Sequence, residues 1–73
     1  MPRLYSSKHI IKVLTANGFV FVSQRGSHIK YHKISQPGGE SATVIIPADR
    51  KEVPQGTFAS IIRQSGMNKN DFK

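Results

Sequence analysis

Apolar positions along this chain change their spacing several times, and each change marks a boundary between elements. Over residues 8–17, Ile10, Val13, Leu14 and Asn17 share one stripe, with Ile11 beside it, the period of an amphipathic helix. Ser6 and Ser7 precede it as candidate N-caps, because a side-chain oxygen there satisfies an orphan amide of the first turn. Gly18 then supplies a stop. Residues 19–25 are rich in β-branched and aromatic side chains and read as a strand. Gly26 interrupts the run, and residues 27–33 resume a strand pattern, so the two predict an antiparallel hairpin. Residues 35–41 contain Pro37-Gly38-Gly39 and read as a loop. A third strand follows over 42–46 and is stopped by Pro47, with a polar connection over 49–53. Pro54-Gln55-Gly56-Thr57 opens a second helix, whose buried stripe is Phe58, Ile61, Ile62 and Ser65 and whose stop is Gly66. Asn68 with Asp71 three residues on resembles a capping arrangement for a short final turn that packs Phe72.

The order α-β-β-β-α with a terminal turn predicts an α+β, two-layer sandwich. Three antiparallel strands are covered on one face by two helices, and the other face of the sheet stays open. Function is to be sought on that open face. Seventy-three residues suit one domain, 1–73, with one small core. No cysteine is present, so neither a disulfide nor a thiolate-bound metal holds it together. Met1-Pro2-Arg3 leads into a polar stretch, not a secretory signal. The longest apolar run is Phe19 to Val22, too short for a membrane span. A cytoplasmic protein with no membrane contact is the expectation.

Charge narrows the field. Eleven Lys and Arg against four acids give a formal net charge of +7, a field that draws in polyanions. Nucleic acid is the leading partner. A solvated basic surface and an acidic protein partner are the competing explanations.

Strand alternation over 27–33 then groups the chemistry. Ile29 and Tyr31 point one way, suited to the helix-covered side, and His28, Lys30 and His32 point the other. Arg25 lies close by, at the turn. Strand 19–25 is ambiguous, because Phe19 and Phe21 oppose Val20 and Val22 and both sets are apolar. An imidazole titrates near pH 6.5, so both of its forms are accessible in the cell. RNA carries its own nucleophile, the 2′-hydroxyl, and one positioned imidazole that moves its proton is worth roughly 10²–10⁴-fold in rate. Arg25, Lys30 and Lys33 are the cations expected to hold the phosphate and offset its growing charge. DNA, which lacks the 2′-hydroxyl, would be spared. The plainer reading of the same strand is a solvated basic face.

Other chemistries fit less well. His28 and His32 stand roughly 13 Å apart on an extended strand, too far to share a metal ion. Four scattered acids give no carboxylate cluster for a two-metal nuclease. Gly26-Ser27-His28 lacks the GxSxG frame of a nucleophile elbow. Pro37-Gly38-Gly39 reads as a plain loop before a phosphate cradle, and Arg50, Lys51 and Arg63 read as solvated charges.

Taken in order, several fragments resemble the HicA family of toxin–antitoxin systems. They are Asn17-Gly18-Phe19 after the first helix, Arg25-Gly26-Ser27-His28 with Tyr31 three residues later, and Val44-Ile45-Ile46-Pro47. Gly56-Thr57 follows, then Ile61-Ile62-Arg63-Gln64-Ser65-Gly66 and finally Asp71-Phe72. The resemblance implies a fold like double-stranded RNA-binding domains and an mRNA interferase without a cofactor. Its catalytic histidine would be His28, presented by the turn at Gly26, with Ser27 as a polar helper. It further implies a HicB-like antitoxin that covers the active face, and operon repression through that antitoxin's DNA-binding part, not by this chain. Many relatives carry a basic residue shortly after the third-strand proline, where this chain reads Pro47-Ala48-Asp49, and His32 is not a motif position. A non-catalytic RNA-binding module of the same fold is the alternative. A protein-interaction module that uses the basic face only for an acidic partner is the third.

Overall fold

The computed structural model describes residues 3–34 and 41–73. The loop reading at Pro37-Gly38-Gly39 lies outside the described residues. Helix α1, Ser7–Ala16, begins where Ser6 Oγ accepts the His9 backbone amide at 3.0 Å. Ile10 and Leu14 are fully buried, and Ile11 and Val13 pack beside them. Asn17, expected on the buried stripe, is exposed instead. It caps the helix, its Nδ2 donating to the Val13 carbonyl at 2.7 Å, a local bond of the kind short amides make at helix ends.

Strands β1 (Val20–Arg25), β2 (His28–Ile34) and β3 (Ser41–Pro47) form an antiparallel sheet in the order β1-β2-β3. Among the described residues these are its only strands. Tyr31 pairs with Phe21 on one side and Val44 on the other, and Ile29 pairs with Ile46. Directly opposed residues share a face, so Phe21, Ile29, Tyr31, Val44 and Ile46 all look toward the helices. Val44 and Ile46 are fully buried there. The ambiguity in the first strand is settled by Phe19, which enters the core, whereas all of β1 is exposed. The β1–β2 register slips between Phe21 and Ser23, making Val22 the extra residue of a β-bulge.

Helix α2, Gln55–Ser65, buries Phe58, Ile61 and Ser65 against the sheet and α1. It packs chiefly on β3, where Gln64 Oε1 accepts the Ile45 amide at 3.0 Å. It ends at Gly66, whose φ of +71° suits a left-handed C-cap. Asn68 N donates to Asp71 Oδ2 at 2.9 Å and opens the 3-10 turn Lys69–Phe72. Phe72, fully buried, meets Phe58 edge-on at 5.3 Å between ring centroids. The fold is thus α+β, with helices on one face of an open three-stranded sheet.

Candidate functional site

The uncovered face of the sheet is built outward from the Arg25-Gly26-Ser27-His28 turn. Only two residues separate β1 from β2, and of these Gly26 alone has positive φ, +57°. That is the φ signature of a type II′ hairpin turn, which asks for glycine at its first central position. A Cβ on Gly26 would meet nothing within 4 Å. The demand for glycine is therefore a backbone demand, not one of space. Gln24 Nε2 donates to the Gly26 carbonyl at 3.0 Å, and the Ala48 amide donates to the Ser27 carbonyl at 2.7 Å. The turn is tied on one side to its own strand and on the other to the segment that follows β3.

His28 is the first residue of β2, flanked by Arg25 on β1 and Pro47 on β3. Cross-strand partners have Cβ atoms about 4.5–5.5 Å apart, so His28 and Arg25 leave the sheet as neighbours on one face. Lys30 follows on the same face, between Ser23 and Ile45, and then His32, between Val20 and Thr43. His28, Arg25, Ser27 and Lys30 are all exposed. His32 differs: it is half-buried, and its Nδ1 is 2.9 Å from Thr43 Oγ1. A hydrogen-bonded ring of this sort is held as part of the sheet surface, whereas the ring of His28 makes no hydrogen bond among the described residues. The arrangement offers a proton carrier beside two cations on a solvent-facing surface, suited to an extended anionic chain.

Lys33 stands apart from that grouping. It pairs with Ala42, shares the helix-side parity of Ile29 and Tyr31, and is half-buried. Its Nζ lies 5.7 Å from the centroid of the Phe19 ring, a cation–π distance, and its stem passes Gly18. Lys33, expected with Arg25 and Lys30 around one phosphate, thus lies apart from both. Strand parity sends it to the opposite face of the sheet.

A family model described as the HicA toxin of bacterial toxin–antitoxin systems matches residues 7–67. The chain belongs to the HicA toxin family. A toxin role within a toxin–antitoxin pair comes with that membership. No match was found among curated proteins. The span contains α1, the whole sheet and α2, hence every residue of the surface just described.

Three supports of the HicA surface were not evident from local pattern. Ser7, buried, donates through Oγ to the Pro47 carbonyl at 2.6 Å and accepts the Arg50 amide at 3.1 Å. Asp49 takes a positive φ of +54° between them, a conformation aspartate tolerates better than most residues. Together they fold the post-β3 segment back against Ser27 and the start of α1. The third is His9, which stacks on Tyr5 at 4.8 Å and bonds the Phe72 carbonyl through its ring. It anchors the terminal turn to α1. The signal available in sequence was the seryl pair at positions 6 and 7, where one hydroxyl sufficed for capping and the second needed another use. Among the described residues, no three His, Asp or Glu side chains are grouped to hold a metal ion. No described helix is long and apolar enough to cross a membrane.

Proposed function

We propose that this protein is an endoribonuclease toxin, an mRNA interferase, that uses His28 as its general acid–base group. RNA lies along the open face of the sheet, with Arg25 and Lys30 on its phosphates. His28 takes the proton of a ribose 2′-hydroxyl as that oxygen bonds to the adjacent phosphorus. The bond from phosphorus to the 5′-oxygen breaks, the departing oxygen takes a proton from solvent water, and the His28 imidazolium returns the proton it took to solvent. Arg25 offsets the charge that gathers on the phosphoryl oxygens, the work that preorganised cations do best at a developing oxyanion. The turn at Gly26 and Ser27 sets the position of the imidazole, with the Ser27 hydroxyl available as a polar helper. No cofactor is needed, because the substrate supplies the nucleophile. A HicB-like antitoxin closes the same face. The setting is the cytoplasm, and direct DNA binding by this chain forms no part of the proposal.

The observation that carries this reading is the juxtaposition of an exposed His28 with Arg25 across the hairpin, in a chain of the HicA family. The test is incubation of purified protein with RNA in EDTA, parent beside His28→Ala. Cleavage by the parent and its loss in the variant, with RNA binding kept within a few-fold, are expected. Binding by a parent that never cleaves would instead favour the non-catalytic RNA-binding module.

A further inference from the structure

The two edges of the sheet are treated very differently. Along β3, helix α2 lies close, and Gln64 takes up the outward amide of Ile45 at 3.0 Å. Along β1, no backbone group of Val20–Arg25 bonds to anything outside the β1–β2 ladder among the described residues. An open edge of this kind is a template for another strand, and proteins ordinarily blunt it with charge, proline or cover. Here it is apolar as well. Val20, Phe21 and Val22 are 62%, 56% and 50% exposed, three adjacent large hydrophobics on one edge strand. Val20 shares the open face with His32 and Phe21 the helix side with Tyr31, so a strand laid along this edge finds apolar side chains on both of its faces.

We infer that β1 is a docking edge for an extended, acidic and apolar strand of the antitoxin, added to the sheet by main-chain hydrogen bonding. This rests on the toxin–antitoxin reading and specifies how the partner engages. Main-chain bonds along the edge supply affinity, and alternate side chains of the incoming strand supply specificity. Charge selects the partner. The chain carries +7, and none of its four acids lies on β1 or β2, so an acidic side chain on the incoming strand finds Arg25 beside it. A second copy of the same chain would instead bring another strongly positive molecule to the same edge. Strands lie about 4.8 Å apart, so the added strand sits about 10 Å from β2. Chain leaving it needs to cross only β1 to cover His28.

The experiment uses the His28→Ala protein and the antitoxin encoded beside the toxin gene, with amide hydrogen exchange followed residue by residue and affinity measured by calorimetry. Amides over residues 20–25 should become protected in the complex. Val22→Glu and Val20→Glu, both at exposed positions, should weaken binding by about 10-fold or more, whereas Thr15→Glu at an exposed position of α1 should not. Unchanged exchange over 20–25, wild-type affinity in both β1 variants, or no binding at all overturns the proposal. So does protection of 20–25 that appears with rising concentration of the chain alone, which would assign the edge to a second copy. Because binding is read in a cleavage-dead protein, failure of RNA cleavage by the parent would remove the ribonuclease reading without touching this result.

Discussion

The two faces of β2 each carry a lysine and put it to opposite use. On one face Ile29, Tyr31 and Lys33 pack toward the helices, and even the lysine is drawn in, half-buried, with its ammonium over Phe19. On the other, His28 and Lys30 stand exposed, with Arg25 beside the imidazole. A strand has a period of two, so one position decides whether a cation meets an aromatic ring or solvent. Packing fixes side chains on the first face. Freedom from packing leaves the second able to meet a ligand, while the turn, tied down at Gly26 and Ser27, still sets where its first residue stands.

The sharpest way to break this comparison is to empty one position on each face. On the open face, His28→Ala should reduce RNA cleavage by roughly 10²–10⁴-fold and leave the thermal melting curve where it was, since the ring touches nothing that holds the fold. On the covered face, Ile46→Ala should leave the imidazole in place and cost about 2–5 kcal/mol of stability by denaturant unfolding. In so small a domain that removes much of the folded population. Comparable losses of activity and stability in both variants would mean that the two faces are not separable.

A smaller effect is expected at the seam between them. Ser7→Ala strips the Pro47 carbonyl and the Arg50 amide of their shared hydroxyl, a loss of about 1–3 kcal/mol, measurable by urea titration. Loss of that tie should also loosen the segment that bonds Ser27, so cleavage should fall more than stability alone accounts for. The smallest effect compares two lysines. Lys30→Ala should flatten the slope of log binding constant against log salt by about 0.7–0.9, one phosphate contact. Lys33→Ala should leave that slope unchanged and cost about 0.5–1 kcal/mol of stability from the lost cation–π contact. Equal salt slopes in the two lysine variants would return Lys33 to the phosphate site.

Much of this arrangement was legible along the chain. The stripe of Ile10 and Leu14, the alternation through β2, the stop at Gly66 and the Asn68–Asp71 cap are all set by contacts within a few residues, where spacing reports geometry directly. The alternation also held the correct side for Lys33. Nearness in sequence to His28 and Lys30 grouped it with them, although parity already separated it. In β1 the reading stalled because both faces were apolar. The bulge at Val22 then broke the period that would have resolved it.

By itself, then, the sequence determined the elements, their order, the open face and the histidine at its turn, because each follows from local period and from which residues tolerate a turn. Only the tertiary structure decided that Ser7 joins α1 to the segment after β3, that Asp49 adopts a positive φ and that Gln64 closes one edge of the sheet while β1 is left open. These depend on groups brought together from 19 to 43 positions apart, and no periodicity encodes a hydrogen bond that forms only after the layers have packed.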